Sequence, residues 1–154
     1  MWEEIKEIYN ENHIGINVGV FTGFISGFLT ACLFRIIQLI TDMKFYHNVK
    51  KNYTGSYFAY WKYDERNKKV FDINITTCKN FLNFNGFRID DETKLTGKVE
   101  ISKALQNYGT GYYVHDKGWG FIELQRGSEG QIFIHQVYSD RTNQITQALT
   151  WLKK

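Results

Sequence analysis

The sequence lacks the cysteines that a disulfide framework or a zinc site would need. Its 154 residues contain two cysteines, Cys32 and Cys78, with no CxxC pair and no Cys/His cluster. Cys32 lies in a long apolar run and Cys78 in the more polar remainder of the chain, so we do not expect an intramolecular disulfide. The sequence also has no proline, an absence that suits uninterrupted β-ladders.

Motifs of catalysis are missing too. The sequence has no GxSxG nucleophile elbow, no P-loop, no HExxH and no H-x-E…CxxC pattern. Its acidic residues fall mostly in turn-like clusters, and Asp90-Asp91-Glu92 is more typical of a solvated loop than of a metal site. We therefore expect a protein that is not an enzyme and that binds no metal or cofactor.

Strongly clustered positive charge is absent as well. The net charge is +3 over 154 residues, a mild excess that differs from the basic surface of a protein that binds duplexes. We expect no duplex nucleic acid among the partners of this chain.

The stretch from Ile14 to Phe34 has no charged side chain over 21 residues. As an α-helix it would be about 31 Å long, which is enough to cross a hydrocarbon core of about 30 Å. The pattern predicts an N-terminal flank over 1–13, a transmembrane helix over 14–40 and a juxtamembrane linker over 41–52. The lipid bilayer is therefore the first predicted partner.

A cleaved signal is the alternative, because Leu29-Thr30-Ala31-Cys32 resembles a bacterial lipoprotein processing box. Two features favour a retained span: the leader is acidic, and apolar residues continue past Cys32 as far as Ile40. The charge is −3 over residues 1–11 and +3 over residues 35–51. Since Lys and Arg near a span stay cytoplasmic, we expect the N-terminus outside and the C-terminal domain in the cytosol.

Four glycines recur at intervals of four residues within the apolar run: Gly15, Gly19, Gly23 and Gly27. Residues four apart lie on one face of a helix, and small residues there let a second helix approach closely. The stripe predicts oligomerisation of the span, and hence a homo-oligomer.

Residues 53–154 are rich in the aromatic and β-branched residues that suit strands, and turn-like clusters separate them at short intervals. Period-two alternation, as in Leu95, Val99 and Ile101, predicts strands with one buried face. The predicted strands are Tyr53–Tyr63, Lys69–Cys78, Phe81–Ile89, Lys94–Ser102, Gly109–Asp116, Trp119–Arg126, Gln131–Ser139 and Asn143–Leu152.

Eight short strands with no intervening helix indicate an antiparallel meander that closes on itself. The predicted fold is all-β, an eight-stranded antiparallel up-and-down β-barrel over 53–154, preceded by an N-terminal transmembrane helix. A barrel of this size is filled by side chains or holds one small ligand.

Aromatic and cationic residues interleave in this domain and make it better suited to binding than to catalysis. Aromatic faces stack on bases, and arginine forms paired hydrogen bonds to phosphate. The candidate ligand-binding residues are Tyr57, Trp61, Arg88, Tyr113 and Arg126. For each aromatic residue, packing in the barrel core is the competing interpretation.

The order of anchor, basic juxtamembrane stretch and β-meander carries a resemblance. The meander opens with Tyr53-Thr54-Gly55-Ser56-Tyr57, passes through Leu95-Thr96-Gly97-Lys98-Val99 and Trp119-Gly120-Phe121-Ile122-Glu123-Leu124, and closes on Trp151-Leu152-Lys153-Lys154. This chain resembles the membrane-anchored β-barrel effectors of CD-NTase (CBASS-type) anti-phage defence systems. The better-known members have two spans, whereas this sequence predicts one.

The resemblance implies a bacterial inner-membrane effector with its barrel in the cytosol. It implies that the barrel binds a cyclic oligonucleotide made by a functionally linked nucleotidyltransferase, and that the transmembrane part oligomerises and damages the membrane. A membrane-tethered, lipocalin-like barrel that binds a lipid or a small hydrophobic ligand is the main alternative. An anchored interaction module is a third. An anionic nucleotide requires basic groups at the barrel mouth, and a lipid does not.

Overall fold

The computed structural model describes residues 2–61, 68–116, 118–140 and 143–154. It contains one helix followed by eight strands in chain order. These are α1 (Trp2–Tyr53), β1 (Gly55–Trp61), β2 (Lys69–Cys78), β3 (Phe81–Arg88), β4 (Lys94–Ile101), β5 (Tyr108–His115), β6 (Gly118–Arg126), β7 (Ile132–Asp140) and β8 (Asn143–Lys153).

The eight strands form a closed antiparallel barrel, as the sequence predicted. Each strand pairs with its neighbour in the chain, and β8 pairs with β1 to close the sheet, with Ala59 opposite Trp151. Most strand bounds lie within one or two residues of the prediction. Tyr53 is different: it was predicted to open the first strand but is the last residue of α1. The predicted end of that strand, Tyr63, lies outside the described residues.

Gly55 makes the abrupt change from helix to strand possible. Its φ is 145°, a conformation that residues with a side chain rarely adopt and that glycine tolerates. The amide of Thr54 still donates to Lys50 O at 3.1 Å, so the chain changes from helix to strand within about one residue.

The alternation of each strand sends one set of side chains into the barrel. Ile73 and Ile75 of β2 are buried, whereas Asn74 between them is exposed. The same alternation continues around the sheet, because residues paired across strands face the same side. The inward apolar side chains form a single core that includes Tyr57, Ala59, Leu82, Phe84, Val99, Ile122, Leu124, Ile134, Leu149 and Trp151.

The chain divides into two compact units, Met1–Met43 and Lys44–Lys154. The last ten residues of α1 therefore belong with the barrel, although the sequence predicted a linker over 41–52. Phe45, Val49 and Tyr53 recur every four residues and are buried in the barrel core. They form a buried apolar face on a helical segment that lies mostly within the predicted juxtamembrane linker.

In the first unit, α1 is exposed along its apolar face. By length and composition its portion Asn17–Tyr53 is apolar enough to cross a membrane, and none of its most apolar window is buried. A Cβ added at Gly15, Gly19, Gly23 or Gly27 would meet nothing within 4 Å. The glycine face is therefore uncovered in a single chain.

Candidate functional site: the distal end of the barrel

The two ends of the barrel differ in that α1 joins the sheet at one of them. At the helix end, α1 runs into β1, and the even-numbered strands finish there. At the distal end, the odd-numbered strands finish and the even-numbered strands begin. Because strand direction alternates around the barrel, the position of a residue along its strand shows which end it lies near.

The five candidate ligand-binding residues divide between the two ends. Trp61 and Arg88 are the last residues of β1 and β3, and Tyr113 is two residues from the end of β5, so these three belong to the distal half. Tyr57 and Arg126 lie at the helix end. The five residues therefore do not form a single site.

The inward side chains of the distal half include several that are polar or only half-buried. In register with the inward-facing set are Arg88, His115, Gln136 and Gln147. Gln136 is 6 % exposed, and its amide nitrogen donates to Gln147 Oε1 at 2.7 Å. A buried amide pair of this kind places hydrogen-bonding groups inside the barrel, where apolar side chains would need no hydrogen-bond partners.

Arg88 lies at the rim of the distal end. Its Nη1 is 3.8 Å from Asp91 Oδ2 in the turn that follows β3, a separation near the limit for an ion pair. Its Nε is buried and has no hydrogen-bond partner among the described residues. A buried N–H without an acceptor costs about 1–3 kcal/mol, so an incoming anionic oxygen would satisfy a group that the fold leaves unpaired.

Tyr113 and His115 lie two residues apart on β5 and face the same side. Their rings are nearly parallel, at 17°, with centroids 6.0 Å apart. The Tyr113 ring covers the backbone of Gly120, where an added Cβ would lie 2.8 Å from Tyr113 Cε1. Gly120 therefore gives the tyrosine ring its place inside the barrel, and Tyr113 is 3 % exposed.

Trp61 is half-buried and packs against the core, as Phe71 does. Its ring is therefore partly accessible at the distal end. Among the described residues, no cluster of three or more His, Cys, Asp or Glu side chains could hold a metal ion. The chemistry that the described inward residues offer at this end is hydrogen bonding, stacking and the charge of Arg88.

Tyr57 is in a different environment at the helix end. It is fully buried, and its hydroxyl donates to Tyr53 O at 2.9 Å. Burial raises the pKa of the Tyr57 hydroxyl above its usual 10.0, and the nearby Arg126 guanidinium acts in the opposite direction. Its ring has no exposed face on which a base could stack, because side chains of α1 cover this end of the core.

Sequence reasoning missed three of the inward polar residues: His115, Gln136 and Gln147. The signal that could have found them is strand alternation. His115 follows Tyr113 by two residues, and Gln136 follows Ile134 by two, so each had to share the face of its neighbour. Gln147 could be assigned to the inward face only once its pairing with Gln136 was known.

Neither a protein-family model nor a curated protein matches this sequence. What can be said of its function therefore depends on the fold and on the residues at the two ends of the barrel.

Proposed function

We propose that this chain is a membrane-anchored effector of bacterial anti-phage defence. Its barrel binds a cyclic oligonucleotide at the distal end, on the cytosolic side of the inner membrane. Its transmembrane helix then self-associates and disrupts that membrane. A functionally linked nucleotidyltransferase supplies the nucleotide.

The observation that carries this proposal is the buried Nε of Arg88, which has no hydrogen-bond partner among the described residues and lies at the same end of the barrel as a set of inward polar side chains. A phosphodiester oxygen accepts from the guanidinium in place of the loose contact with Asp91. The amides of Gln136 and Gln147 present donors and acceptors of the kind that read the edge of a base.

Stacking provides the second part of the recognition. Trp61 is half-buried at the same end as Arg88, and its indole is a broad flat surface for a base. Base–aromatic stacking contributes about 1–3 kcal/mol for each base. Tyr113 and His115 lie at the same end with nearly parallel rings, and Gly120 leaves room for the Tyr113 ring.

The lipid-carrier alternative is less well supported by the barrel interior. An acyl chain needs a deep apolar cavity, but the core of the helix end is filled by large side chains, with the Phe84 and Trp151 rings 5.4 Å apart. Side chains of α1, including Val49, join that core.

Calorimetry of the full chain in a neutral detergent tests the binding step. We expect one member of a panel of cyclic di- and trinucleotides to bind, and Arg88→Gln to weaken it by about tenfold or more, which is about 1.4 kcal/mol. Lys69→Gln is the matched control. Lys69 lies at the same end but on the outer wall, with its Nζ 4.0 Å from the Phe58 ring centroid. Binding of fatty acids in place of every nucleotide would support the lipid carrier.

The membrane step has its own test. Replacing Gly19 and Gly23 with leucine keeps the span apolar and fills the uncovered glycine face. We expect the double variant to insert normally, to stay monomeric in cross-linking and to lose toxicity when the nucleotide is present. A variant that still assembles and still arrests growth would place assembly in the barrel.

A further inference from the structure

A cleft lies at the helix end, at the opposite end of the barrel from the proposed nucleotide site. It has a volume of about 360 Å³, within the range of roughly 300–1,000 Å³ usual for small-molecule sites. Its walls are the last turn of α1, the turn between β6 and β7, and the end of β8. All of these segments belong to the unit Lys44–Lys154.

The cleft has an excess of positive charge. Lys51, Arg126 and Lys153 line it, and Glu129 is its one carboxylate. Glu129 is already engaged, since its Oε2 accepts from Gln131 Nε2 at 2.8 Å. Within the described ranges, no ion pair joins any of the three cations to a carboxylate. Like charges held together without a counterion favour a bound anion.

Arg126 is held in position for such an anion. Its Cζ is 5.9 Å from the centre of the Tyr53 ring, and its backbone amide donates to Asn107 O at 2.7 Å. Its Nε is buried and has no acceptor in the described part of the chain. The ring contact and the burial of Nε restrict the guanidinium before any ligand arrives, which lowers the entropy lost on binding.

Gly130 keeps the other edge of this guanidinium accessible. Its φ is 82°, which favours glycine, and an added Cβ would lie 3.7 Å from Arg126 Nη2. The turn therefore passes close to the arginine without a side chain to cover it. Planar donors with an open edge suit the paired oxygens of a phosphate group.

We propose that this cleft binds a phosphate group, taken either from an anionic lipid headgroup or from a soluble phosphate compound. Lys51 belongs to α1, while Arg126 and Lys153 belong to the barrel wall, so one phosphate bridges the helix end and the sheet. The site is separate from the nucleotide site, because Arg88 lies at the other end of the barrel.

The test uses the full chain in neutral detergent, with three probes. These are phosphatidylglycerol, a glucosyl diacylglycerol that has no phosphate, and inorganic pyrophosphate. Native mass spectrometry counts retained adducts. We expect the wild-type chain and Lys50→Gln to retain a phosphate-bearing probe equally. Retention should fall about tenfold in Lys51→Gln and in Arg126→Gln. Lys50 is the matched control, since it is the neighbouring lysine and does not line the cleft.

Each result has one reading. Retention of phosphatidylglycerol without pyrophosphate identifies a lipid headgroup, and retention of pyrophosphate identifies a soluble ligand. Equal retention of all three probes, no retention of any, or equal loss from Lys50→Gln and Lys51→Gln overturns the proposal. Lys51 is exposed, so its variant folds normally even where Arg126→Gln does not. Arg88→Gln should retain the phosphate probe, which separates failure here from failure at the distal end.

Discussion

At the helix end of the barrel the inward side chains are mostly large, apolar and buried, whereas at the distal end they include several polar and half-buried groups. Trp151 and Leu124 are 1 % and 0 % exposed at the first. At the second, Arg88 and His115 are partly accessible and Gln136 bonds to Gln147. The same closed sheet therefore has one half that is mainly a packed apolar core and another half that presents hydrogen-bonding groups.

The difference between the ends follows from what the chain places beside each of them. The helix end receives Phe45 and Val49 from α1, so its core extends beyond the strands. In the other half, Gly120 has no side chain and so leaves room for the aromatic ring of Tyr113 on the neighbouring strand. The fold thus concentrates its hydrophobic stabilisation on the side where the chain enters the barrel.

The largest expected effect comes from removing the helical part of the core. A chain that starts at Lys44 keeps Phe45 and Val49, and one that starts at Tyr53 loses them. We expect the shorter chain to be less stable by about 3–5 kcal/mol, or not to fold, because two buried apolar side chains are lost. Urea denaturation followed by tryptophan fluorescence measures the difference.

Point variants of the full chain control for the truncation. Phe45→Ala should destabilise the barrel, whereas Met43→Ala should not, since Met43 is 70 % exposed. Equal stability of the two truncated chains would mean that the helical segment is an attachment and not part of the core.

A smaller effect is expected from the amide pair of the distal half. Gln147→Met leaves the buried Gln136 amide without its partner and should cost about 1–3 kcal/mol. The double change of Gln136 and Gln147 to methionine removes both polar groups at similar volume and should be close to neutral. Denaturation midpoints of the single and double variants make this comparison. Costs that simply add would show that the pair is not coupled.

The smallest effect concerns alkaline pH at the helix end. Burial raises the pKa of Tyr57 above its usual 10.0, and a tyrosine is neutral when protonated. Its contribution to stability is therefore complete below pH of about 10 and is lost as the pH rises through the folded-state pKa. Tyr57→Phe should flatten the fall in stability above that pH, measured by urea denaturation at several pH values. An unchanged slope would assign the alkaline loss to other groups.

The sequence was sufficient for the barrel because strand alternation and turn residues are local signals. Lys69–Cys78 was predicted with its observed bounds. The role of residues 44–53 was not predictable in the same way. Phe45 and Val49 lie in a segment with lysines on both sides, and only the tertiary fold shows that their face is buried.

The candidate site was predictable in part. Aromatic and arginine residues could be identified as suitable for a nucleotide, but their distribution between the two ends depends on strand direction and on inward or outward register. Tyr57 and Trp61 are four residues apart on one strand, yet one is fully buried and the other is partly accessible. Residue type alone could not separate them.

Hydrogen exchange of the full chain, with and without the cyclic nucleotide that gives heat in calorimetry, tests most directly where the ligand binds. We expect new amide protection in the turn after Arg88, at the end of β5 around His115 and at the end of β1. The turn between β6 and β7, beside Arg126, should exchange as before. Protection concentrated at that turn, with the distal end unchanged, would contradict the assignment of the nucleotide site to the distal half of the barrel.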